Sequence, residues 1–325
     1  MNWLITGGCG FLGTSLIHRL LSEGGHRIRV IDNFSVGTRQ DLALVCNFVE
    51  ISPEQAENGF ISDKIQLIEG DITDSSIAVK ITTGANIVIH FAANTGVGPS
   101  VDDPRGDMQS NVVGTFNYLE ASRINQCSRF VFASSGAPAG EVEPPIHEEL
   151  PSHPVSPYGA SKLAGEGYCS AYKRSFGLDT VALRFGNVYG PGSLHKSSVV
   201  AKFIQQAINK ETLEIYGNGS QTRDFIYIDD LIDAVILAAF VPNIGGEVFQ
   251  IATSRETSVV KMTEMLIGEL KAKGYEGIKL INTMKRTGDV MRNYSDTSKA
   301  RMKLGWQAKV KLNVGLKKTI EYFLS

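Results

Sequence analysis

The sequence predicts an α/β fold in which a doubly wound parallel sheet is followed by a smaller C-terminal α/β lobe. Three observations support this prediction. The chain has 325 residues, more than the roughly 250 to 300 at which a single hydrophobic core usually stops growing. Short apolar runs alternate with helical periodicity through the first half, as parallel strands joined by crossover helices require. A glycine-rich segment separates the first apolar run from the first helical pattern.

The first half is predicted to form strands from its apolar runs and helices from the segments between them. The strands are at 2–5, 28–31, 65–69, 87–91, 129–133 and 180–184, and the longest helices are at 11–22, 108–123 and 157–176. The last of these helices has a clear start, because Ser156 can cap it and Pro157 suits its first turn.

The composition excludes several classes of protein. Lys and Arg number 32 against 34 Asp and Glu, which gives a net charge of −2 and no broad basic surface for nucleic acid. No apolar run reaches the roughly 18 residues of a membrane span. The four cysteines are far apart and lack metal-binding spacing. We therefore expect a cytoplasmic protein with no metal site, no disulfide framework, and no nucleic-acid or membrane partner.

The segment 6–13 reads TGGCGFLG and satisfies two glycine patterns that bind dinucleotides. Gly8, Gly10 and Gly13 match G-x-G-x-x-G, and Gly7, Gly10 and Gly13 match G-x-x-G-x-x-G. Glycines at these positions permit a tight turn and let the backbone approach a pyrophosphate at the helix N-terminus. Taken alone, the pattern is also compatible with a plain glycine turn.

Asp32 ends the second predicted strand, about twenty residues after the loop, where a carboxylate accepts hydrogen bonds from the adenosine ribose. A carboxylate repels a 2′-phosphate, so Asp32 favours NAD over NADP, although Arg39 is close enough in sequence to reach a phosphate. The sheet is therefore predicted to be of the Rossmann type and to bind NAD.

The C-terminal part is predicted to alternate loops with short elements. Its helices are at 199–209, 229–240 and 312–323, and its strands are at 214–216 and 248–251. Strands this short usually need a larger sheet to complete them. The predicted division is an NAD-binding domain over 1–182, which later segments near 225–252 rejoin, and a mainly substrate-binding domain over 183–325.

Tyr158 and Lys162 are four residues apart on one predicted helix, so their side chains share a face. A tyrosine, with a reference pKa of about 10, is a base at neutral pH only when a cation stabilises its phenolate. Such a pair is also common on solvated helix faces. Ser135 ends the fifth predicted strand, at the edge where open α/β sheets bind ligands. Its hydroxyl can hold the oxygen that Tyr158 deprotonates, although spacing alone leaves open whether the three side chains meet.

Motifs along the whole chain resemble, in order, those of the extended short-chain dehydrogenase/reductase family. The earlier ones are the segment 6–13, Asp32, Gly70-Asp71-Ile72, His90-Phe91-Ala92-Ala93, Asn111-Val112-Val113-Gly114-Thr115 and Ser134-Ser135. The later ones are Ser156-Pro157-Tyr158 with Lys162, the segment 184–191 (RFGNVYGP), Tyr216-Gly217-Asn218-Gly219, Thr222-Arg223-Asp224-Phe225, Arg286-Thr287-Gly288-Asp289 and Leu304-Gly305-Trp306. The resemblance is closest to NAD-dependent nucleotide-sugar epimerases of the UDP-galactose 4-epimerase type.

This resemblance implies inversion at C4 of a UDP-hexose, which could be UDP-glucose or UDP-galactose, a UDP-N-acetylhexosamine or UDP-glucuronate. Tyr158 would remove the hydroxyl proton, with Lys162 lowering its pKa and Ser135 orienting the hydroxyl. Hydride would pass to NAD and return to the other face of a 4-keto sugar. A role in polysaccharide biosynthesis is implied, as is a homodimer built from the helices 108–123 and 157–176.

The resemblance also implies which residues bind the two ligands. For NAD they are Gly7, Gly10, Phe11, Leu12, Gly13, Asp32, Asn33, Asp71, Ile72, Ala92, Ala93, Asn111, Tyr158 and Lys162. For the sugar nucleotide they are Ser135, Asn187, Val200, Tyr216, Arg223 and Arg286. Guanidinium groups suit phosphate oxygens, although Arg223 beside Asp224 is by itself more typical of a surface ion pair.

Three departures from the family pattern bear on the substrate. Gly136 follows Ser135 where sugar 4,6-dehydratases carry an Asp-Glu pair, which argues against dehydration. The stretch Pro138-Ala139-Gly140 replaces Val-Tyr-Gly of many relatives and predicts a more open pocket. Asn293 stands where strict glucose/galactose epimerases resemble each other in having tyrosine, and a smaller residue there is associated with modified sugars.

The alternatives within the same fold are a CDP-sugar 2-epimerase, a sugar-nucleotide decarboxylase and a 4-keto reductase. A decarboxylase would need an additional acid beside the serine, which Gly136 does not supply. An alternative from another class is a non-catalytic protein that binds NAD or a sugar nucleotide. The intact set of Ser135, Tyr158 and Lys162 disfavours that reading, because a binding protein has no need for a phenolate base.

Overall fold

A computed structural model describes residues 1–61, 64–194, 198–284 and 290–325. By their contacts, the residues fall into two compact units. The first consists of Met1–Gly140, Pro151–Arg184 and Ala234–Phe249, and the second of Glu141–Leu150, Phe185–Asp233 and Gln250–Ser325. Across the described ranges, the helices are all too short or too polar to cross a bilayer.

The elements alternate along the chain as an α/β fold requires. The strands are β1 (Asn2–Thr6), β2 (Arg27–Asp32), β3 (Phe48–Glu50), β4 (Ile65–Glu69), β5 (Ile87–His90), β6 (Arg129–Ser135), β7 (Thr180–Phe185), β8 (Asn187–Tyr189), β9 (Leu213–Tyr216), β10 (Thr222–Arg223), β11 (Phe225–Tyr227), β12 (Glu247–Ile251), β13 (Thr257–Ser258) and β14 (Leu280–Thr283). The helices are α1 (Phe11–Glu23), α2 (Arg39–Ala43), α3 (Pro53–Ala56), α4 (Ser75–Thr82), α5 (Val97–Asp102), α6 (Pro104–Met108), α7 (Gly114–Ile124), α8 (Pro157–Phe176), α9 (Val199–Ile208), α10 (Ile228–Phe240), α11 (Val259–Ala272) and α12 (Leu312–Leu324).

An eight-stranded sheet has the spatial order β12-β7-β6-β5-β1-β2-β4-β3. β1 pairs in parallel with β2 on one side and with β5 on the other. The strand order therefore reverses between β1 and β5, and such a reversal leaves a crevice outside the carboxyl ends of the two strands. The predicted fold class, a Rossmann-type doubly wound parallel sheet, is confirmed.

The segment predicted as one helix over 108–123 is interrupted in the structure. α6 ends at Met108, a π-helical turn covers Gln109–Val113, and α7 begins at Gly114. Gly114 packs closely on the Ile72 side chain, since a Cβ on Gly114 would lie 2.6 Å from Ile72 Cδ1. Apolar periodicity does not reveal a π turn, because one extra residue shifts the pattern by less than a turn.

Arg29 on β2 is a fully buried cation in the first unit. Its guanidinium donates to the carbonyl oxygens of Ile81 at 2.6 Å and Ala56 at 2.9 Å, and its Nε donates to Gln66 at 3.1 Å. The guanidinium also lies 4.1 Å from the ring centroid of Phe60. These contacts tie β2 to the connections on either side of β4, and burial lowers the Arg29 pKa to about 10.

Among its described residues, the second unit contains three strand pairs. β8 pairs with β11 and β9 with β14 in parallel, and β10 pairs with β13 in the antiparallel sense. Buried Asp224 accepts hydrogen bonds from the backbone N–H groups of Thr253 at 2.7 Å and Ser295 at 3.3 Å. Trp306 donates its indole N–H to the Asp230 carbonyl at 2.8 Å. These bonds join segments that are far apart in sequence.

Replacing Arg29 by Leu is expected to lower the free energy of unfolding by about 3 kcal/mol, because several buried carbonyl groups lose their donor. Urea unfolding followed by circular dichroism measures the change. The control is Lys80→Met, which removes a surface ion pair with Glu54 and should leave the midpoint almost unchanged. Equal midpoints for Arg29→Leu and the wild type would contradict a structural role for this cation.

Candidate active site

The glycine loop connects the end of β1 to the start of α1. Gly7 has a positive φ of 66°, and a Cβ there would lie 2.8 Å from the backbone N of Ala92. A Cβ on Gly8 would lie 2.4 Å from a methyl group of Val30, and one on Gly13 would lie 2.4 Å from Gly8 Cα. These three glycines are therefore required by contacts within the protein itself.

Gly10 differs from the other loop glycines. A Cβ on Gly10 would meet only the Gly7 carbonyl oxygen, at 3.3 Å. Gly10 is also the N-cap of α1, and no side chain of the described residues caps this helix. A helix N-terminus whose first turn is approached by backbone alone is the environment that suits a pyrophosphate. The loop residues Phe11 and Leu12 begin this first turn, so the site fits the predicted dinucleotide.

Gly37 is a loop residue that the sequence reasoning did not single out. A Cβ on Gly37 would lie 2.3 Å from the Cys9 carbonyl oxygen and 2.6 Å from the Gly10 nitrogen. The segment after β2 therefore packs directly against the glycine loop. The available signal was a glycine a few residues after Asp32, which is weak without the fold.

Asp32 is buried at the end of β2, and its two carboxylate oxygens have different backbone partners. Oδ2 accepts from the Cys9 N–H and Oδ1 from the Phe34 N–H, each at 2.9 Å. Burial raises the Asp32 pKa, and these hydrogen bonds act in the opposite direction. A carboxylate oxygen accepts more than one hydrogen bond, so Asp32 can hold the loop and a ribose hydroxyl together.

The predicted adenosine residues lie next to Asp32. The Asn33 amide donates to Asp71 Oδ2 at 2.9 Å, and Asp71 Oδ1 accepts from the Thr73 hydroxyl and N–H. The Ile72 carbonyl accepts from Asn117 at 3.0 Å, which fixes the backbone beside Asp71. The structure therefore brings Asp32, Asn33 and the segment after β4 to one edge of the sheet.

Arg39 is the residue that could reach the 2′-phosphate of NADP, and in the structure it is bound by acidic side chains. Its Nε donates to Glu50 at 3.0 Å and its Nη2 donates to Glu69 at 2.6 Å. The guanidinium also stacks over the Phe34 ring at 4.0 Å. Two carboxylates beside the only sequence candidate for a 2′-phosphate contact make this region unfavourable for NADP.

Ala92 and Ala93 follow β5 at the crevice. The Ala92 N–H donates to the Thr6 hydroxyl at 3.1 Å, and the same hydroxyl lies 2.9 Å from His90 Nδ1. His90 is fully buried, and burial lowers its pKa to about 3, so the ring is neutral. This chain of contacts fixes the ends of β1 and β5 where the nicotinamide half of a dinucleotide would lie.

The structure brings Ser135, Tyr158 and Lys162 together in the first unit, which spacing alone had left open. Ser135 is the last residue of β6, and Tyr158 and Lys162 lie one turn apart at the start of α8. Ser135 lies close enough to Tyr158 for its hydroxyl to lower the pKa of the phenol. The Lys162 ammonium lies 5.9 Å from the centroid of the Tyr158 ring and donates to the Ala133 carbonyl at 2.9 Å.

Burial controls the protonation of this group. Burial raises the pKa of Tyr158 to about 12, against the opposing effect of the Ser135 hydrogen bond, while the Asp107 charge raises it further. Burial lowers the pKa of Lys162 to about 8, although the Asp107 and Glu166 charges raise it. A tyrosine base in this site therefore needs more positive charge beside it than the protein alone provides.

Asn111, predicted to contact the cofactor, lies inside the π-helical turn and is buried. Its Nδ2 is 2.8 Å from the Asn94 carbonyl, 2.8 Å from Asp107 Oδ1 and 3.2 Å from the Ser161 hydroxyl. Its Oδ1 accepts from the Asn94 N–H at 2.8 Å. Both polar groups of this side chain thus have protein partners, so the observed contacts position neighbouring segments.

Glu166 is a buried acid on α8 that could not be recognised from the sequence motifs. It lies one turn after Lys162 on α8 and accepts from the Ser134 hydroxyl at 2.5 Å. It also forms a two-pronged ion pair with Arg184 at 2.8 and 2.7 Å. The available signal was the repeated spacing of four residues from Tyr158 to Lys162 to Glu166. The ion pair fixes β7 against α8, and the Ser134 hydrogen bond fixes β6 against the same helix.

Of the predicted substrate residues, Ser135 lies in the first unit, and Asn187, Val200, Tyr216 and Arg223 lie in the second. Asn187 begins β8 with an exposed side chain, Val200 is buried in α9, and half-buried Tyr216 ends β9. Arg223 Nη1 donates to the carbonyl oxygens of Thr222 at 2.7 Å and Val290 at 2.8 Å. Arg286 lies outside the described residues.

The three residues at which the sequence departs from the family pattern lie in different environments. Ala139 is fully buried in a short 3₁₀ turn over Ala137–Ala139, so its small side chain is enclosed by protein. Asn293 is half-buried, and its N–H lies 3.4 Å from the Thr222 hydroxyl. Gly136 directly follows Ser135 and contributes no side chain to the site.

A dinucleotide loop on a parallel sheet, with a tyrosine, a lysine and a serine at its carboxyl edge, defines a nicotinamide-dependent enzyme of the short-chain dehydrogenase/reductase type. The chain belongs to the NAD dependent epimerase/dehydratase family, whose pattern it matches over residues 3–252. The predicted family and NAD as the cofactor are thereby confirmed.

Individual proteins with similar sequences and structures agree with this assignment. A UDP-glucose 4-epimerase of Mycolicibacterium smegmatis is 35% identical over 99% of this chain and 98% of its own. A Thermotoga maritima UDP-glucose 4-epimerase with UDP-glucose superposes with a TM-score of 0.87, at 33% identity over 100% of this chain and 99% of its own. A Bacillus cereus UDP-glucuronic acid 4-epimerase with UDP-glucuronic acid and NAD gives 0.87 at 29% identity, with the same coverage. The predicted enzyme class, an NAD-dependent nucleotide-sugar 4-epimerase, is confirmed.

The glycine loop yields a prediction that separates ligand binding from folding. Gly10→Ala should fold normally, because its φ of −77° suits alanine and its Cβ meets little protein, but it should weaken NAD binding at least about tenfold by occupying the pyrophosphate position. Gly13→Ala should instead lower the melting temperature, because its Cβ would overlap Gly8. Calorimetric NAD titration and thermal unfolding measure the two effects.

The matched control for the loop variants is Gly268→Ala on α11, where a Cβ has open space. It should change neither NAD affinity nor the melting temperature to a comparable extent. Unchanged NAD affinity in Gly10→Ala would show that the cofactor phosphate lies elsewhere.

Proposed function

We propose that this protein inverts C4 of a UDP-hexose through a transient 4-keto sugar, with NAD as cofactor and Ser135, Tyr158 and Lys162 as catalytic residues. The observation that carries the proposal is the placement of Ser135, at the end of β6, beside Tyr158 and the buried Lys162 ammonium at the start of α8. The similar proteins named as 4-epimerases of UDP-glucose and UDP-glucuronic acid support the same reaction.

The catalytic residues of this chain would move the proton of the C4 hydroxyl. Tyr158 as phenolate would remove it, while the Ser135 hydroxyl holds the same oxygen in place and the Lys162 ammonium stabilises the phenolate charge. When bound, NAD supplies the acceptor for the C4 hydride and the donor for its return. Tyr158 would then return its proton to the 4-oxygen, which restores the protonation state of the enzyme.

We assign the substrate nucleotide to Asn187, Val200, Tyr216, Arg223 and Arg286. The fixed position of Arg223 supports this assignment, because the carbonyl oxygens of Thr222 and Val290 both hold its Nη1, and guanidinium groups bind phosphate oxygens with defined geometry. A diphosphate anchored by the nucleotide half would leave the hexose free to turn over between hydride removal and return.

Other reactions of the family fit the site less well. A 4,6-dehydratase or a decarboxylase would need an acid beside the catalytic serine, and Gly136 provides none. The remaining alternatives are a CDP-sugar 2-epimerase, a 4-keto reductase and a protein that binds NAD without catalysis. The grouping of Ser135, Tyr158 and Lys162 disfavours the last, because a binding protein gains nothing from a phenolate base.

The homodimer remains a proposal, and an exposed aromatic cluster on α7 and α8 supports it. Phe116 is 38% exposed, Tyr168 40% and Phe176 57%. The Phe116 and Tyr168 ring centroids are 5.5 Å apart, and Tyr172 lies 5.0 Å from Phe176. A cluster of this kind on two neighbouring helices suits a second copy of the same two helices.

We also propose that the protein is located in the cytoplasm, where nucleotide sugars are made.

The reaction is tested by incubating the purified protein with UDP-glucose, UDP-N-acetylglucosamine and UDP-glucuronate, without added cofactor. Chromatography then resolves the C4 epimers, and the bound NAD is quantified separately. Conversion of at least one substrate supports the proposal. If the protein holds NAD and converts none of the three UDP-sugars at C4, the proposal is wrong. Products changed at C2 or C6 would identify the alternative reaction.

Tyr158→Phe is expected to reduce the epimerisation rate by at least about 10³-fold, because it removes the only proton acceptor proposed for the reaction. The NAD content and the melting temperature should stay close to those of the wild type. Tyr275→Phe, at the end of α11, is the matched control and should retain full activity. Turnover above one tenth of the wild-type rate in Tyr158→Phe would remove Tyr158 as the base.

Phe116→Glu is expected to convert a dimer into a monomer, because a charge would be buried in the proposed helix contact. Light scattering coupled to size-exclusion chromatography measures the mass. Leu21→Glu, on α1 with 44% exposure, is the control and should keep the wild-type mass. A wild-type protein that runs as a monomer at micromolar concentration would refute the dimer.

A further inference from the structure

Asp107 is a buried carboxylate close to the catalytic helix that neither the sequence motifs nor the proposed mechanism uses. Its side chain is 1% exposed. Oδ1 accepts from the Asn111 amide at 2.8 Å. Oδ2 is buried without a hydrogen-bond partner among the described residues. A buried carboxylate with one unpartnered oxygen is costly unless a nearby positive charge compensates it.

A short chain of hydrogen bonds links Asp107 to the turn that carries Lys162. Asn111 Nδ2 lies 3.2 Å from the Ser161 hydroxyl, and that hydroxyl donates to the Tyr158 carbonyl at 3.0 Å. Ser161 immediately precedes Lys162 in sequence. Asp107 is therefore connected through Asn111 and Ser161 to the turn that carries Tyr158 and Lys162, which we call the catalytic turn.

We propose that Asp107 is a positioning residue that holds this catalytic turn through Asn111 and keeps the Lys162 ammonium charged for the cofactor. The inference rests on the role proposed above for Lys162. It assigns Asp107 no contact with substrate or cofactor and no proton transfer. Its chemistry is that of a fixed negative charge beside a buried cation.

The surroundings of Lys162 make this charge important. The ionisable side chains that act on the ammonium are Tyr158 and Glu166 on its own helix, His90 on β5 and Asp107 on α6. Burial places the pKa of His90 at about 3 and that of Tyr158 at about 12. The pKa of Lys162, at about 8, lies between these two values.

The elements packed against α6 add little other charge near Asp107. The π-helical turn carries no ionisable residue, and the one on α5, Asp102, is exposed. On α6 itself Arg105 is exposed, as is its N-cap Asp103. Lys162 on α8 is the buried opposite charge that acts on Asp107, and each favours the charged form of the other.

The direction in which NAD affinity changes with pH follows from the charges of Asp107 and Lys162. A Lys162 ammonium would donate stronger, charge-assisted hydrogen bonds to ribose hydroxyls than the neutral amine would, so NAD affinity should fall as pH rises through the Lys162 pKa. Removing the negative charge of Asp107 makes the ammonium easier to deprotonate. The loss of NAD affinity should therefore begin at lower pH in a neutral variant.

The test is the pH dependence of the NAD dissociation constant, measured by calorimetry on the complete cofactor-free protein between pH 6 and 9.5. In Asp107→Asn the midpoint of the affinity loss should move down by about one pH unit. At pH 8 this makes NAD binding roughly fivefold weaker than in the wild type, with no weakening at pH 6. Asp107→Ser is a second neutral variant, in case the amide does not fold.

Two control variants test whether the charge at position 107 is responsible. Asp107→Glu keeps the charge and should keep the wild-type midpoint, and Asp102→Asn removes an exposed charge and should do the same. If the neutral variants weaken NAD binding equally at every pH, Asp107 has only a structural role and the inference is wrong. Because this readout needs no sugar substrate, failure of the epimerase assay and failure of this inference are separate results.

Discussion

A lysine ammonium taken out of water must be compensated by the groups around it, and the surroundings of Lys162 in the first unit are arranged to meet that requirement. The Ala133 carbonyl accepts from the ammonium directly, and Glu166 and Asp107 supply negative charge from two directions. Each of these groups also holds a different element. Glu166 holds β6 and β7 through Ser134 and Arg184, and Asp107 holds the π-helical turn.

The cofactor side depends on a different constraint, which is the absence of side chains. Gly7, Gly8 and Gly13 allow backbone and neighbouring strands to approach closely, while Gly10 leaves the N-terminus of α1 accessible. Asp32 connects the two requirements, because it binds the loop backbone and is positioned for a ribose. Close packing at the glycines thus determines the shape of the crevice between β1 and β5, and the Asp32 carboxylate adds its charge.

Much of this could be predicted from the sequence, because the strong signals are local. Strand positions follow from apolar runs, and the glycine loop, Asp32, Ser135, Tyr158 and Lys162 are recognisable from residue type and spacing. The π-helical turn, Asp107 and Glu166 could not be predicted in the same way. An acidic residue on an amphipathic segment usually faces solvent, and only the packing of α6 and β7 against α8 shows that these two are buried.

Arg39 illustrates the same limit, and it has a consequence for redesign. Its partners Glu50 and Glu69 lie on β3 and β4, so sequence proximity to Asp32 gave no indication that the guanidinium was already occupied. Cofactor preference is consequently a shared property of three strands. Converting this protein to NADP use would require neutralising Asp32 and also releasing Arg39 from two carboxylates, and a single exchange at the end of β2 would lose NAD without gaining a phosphate site.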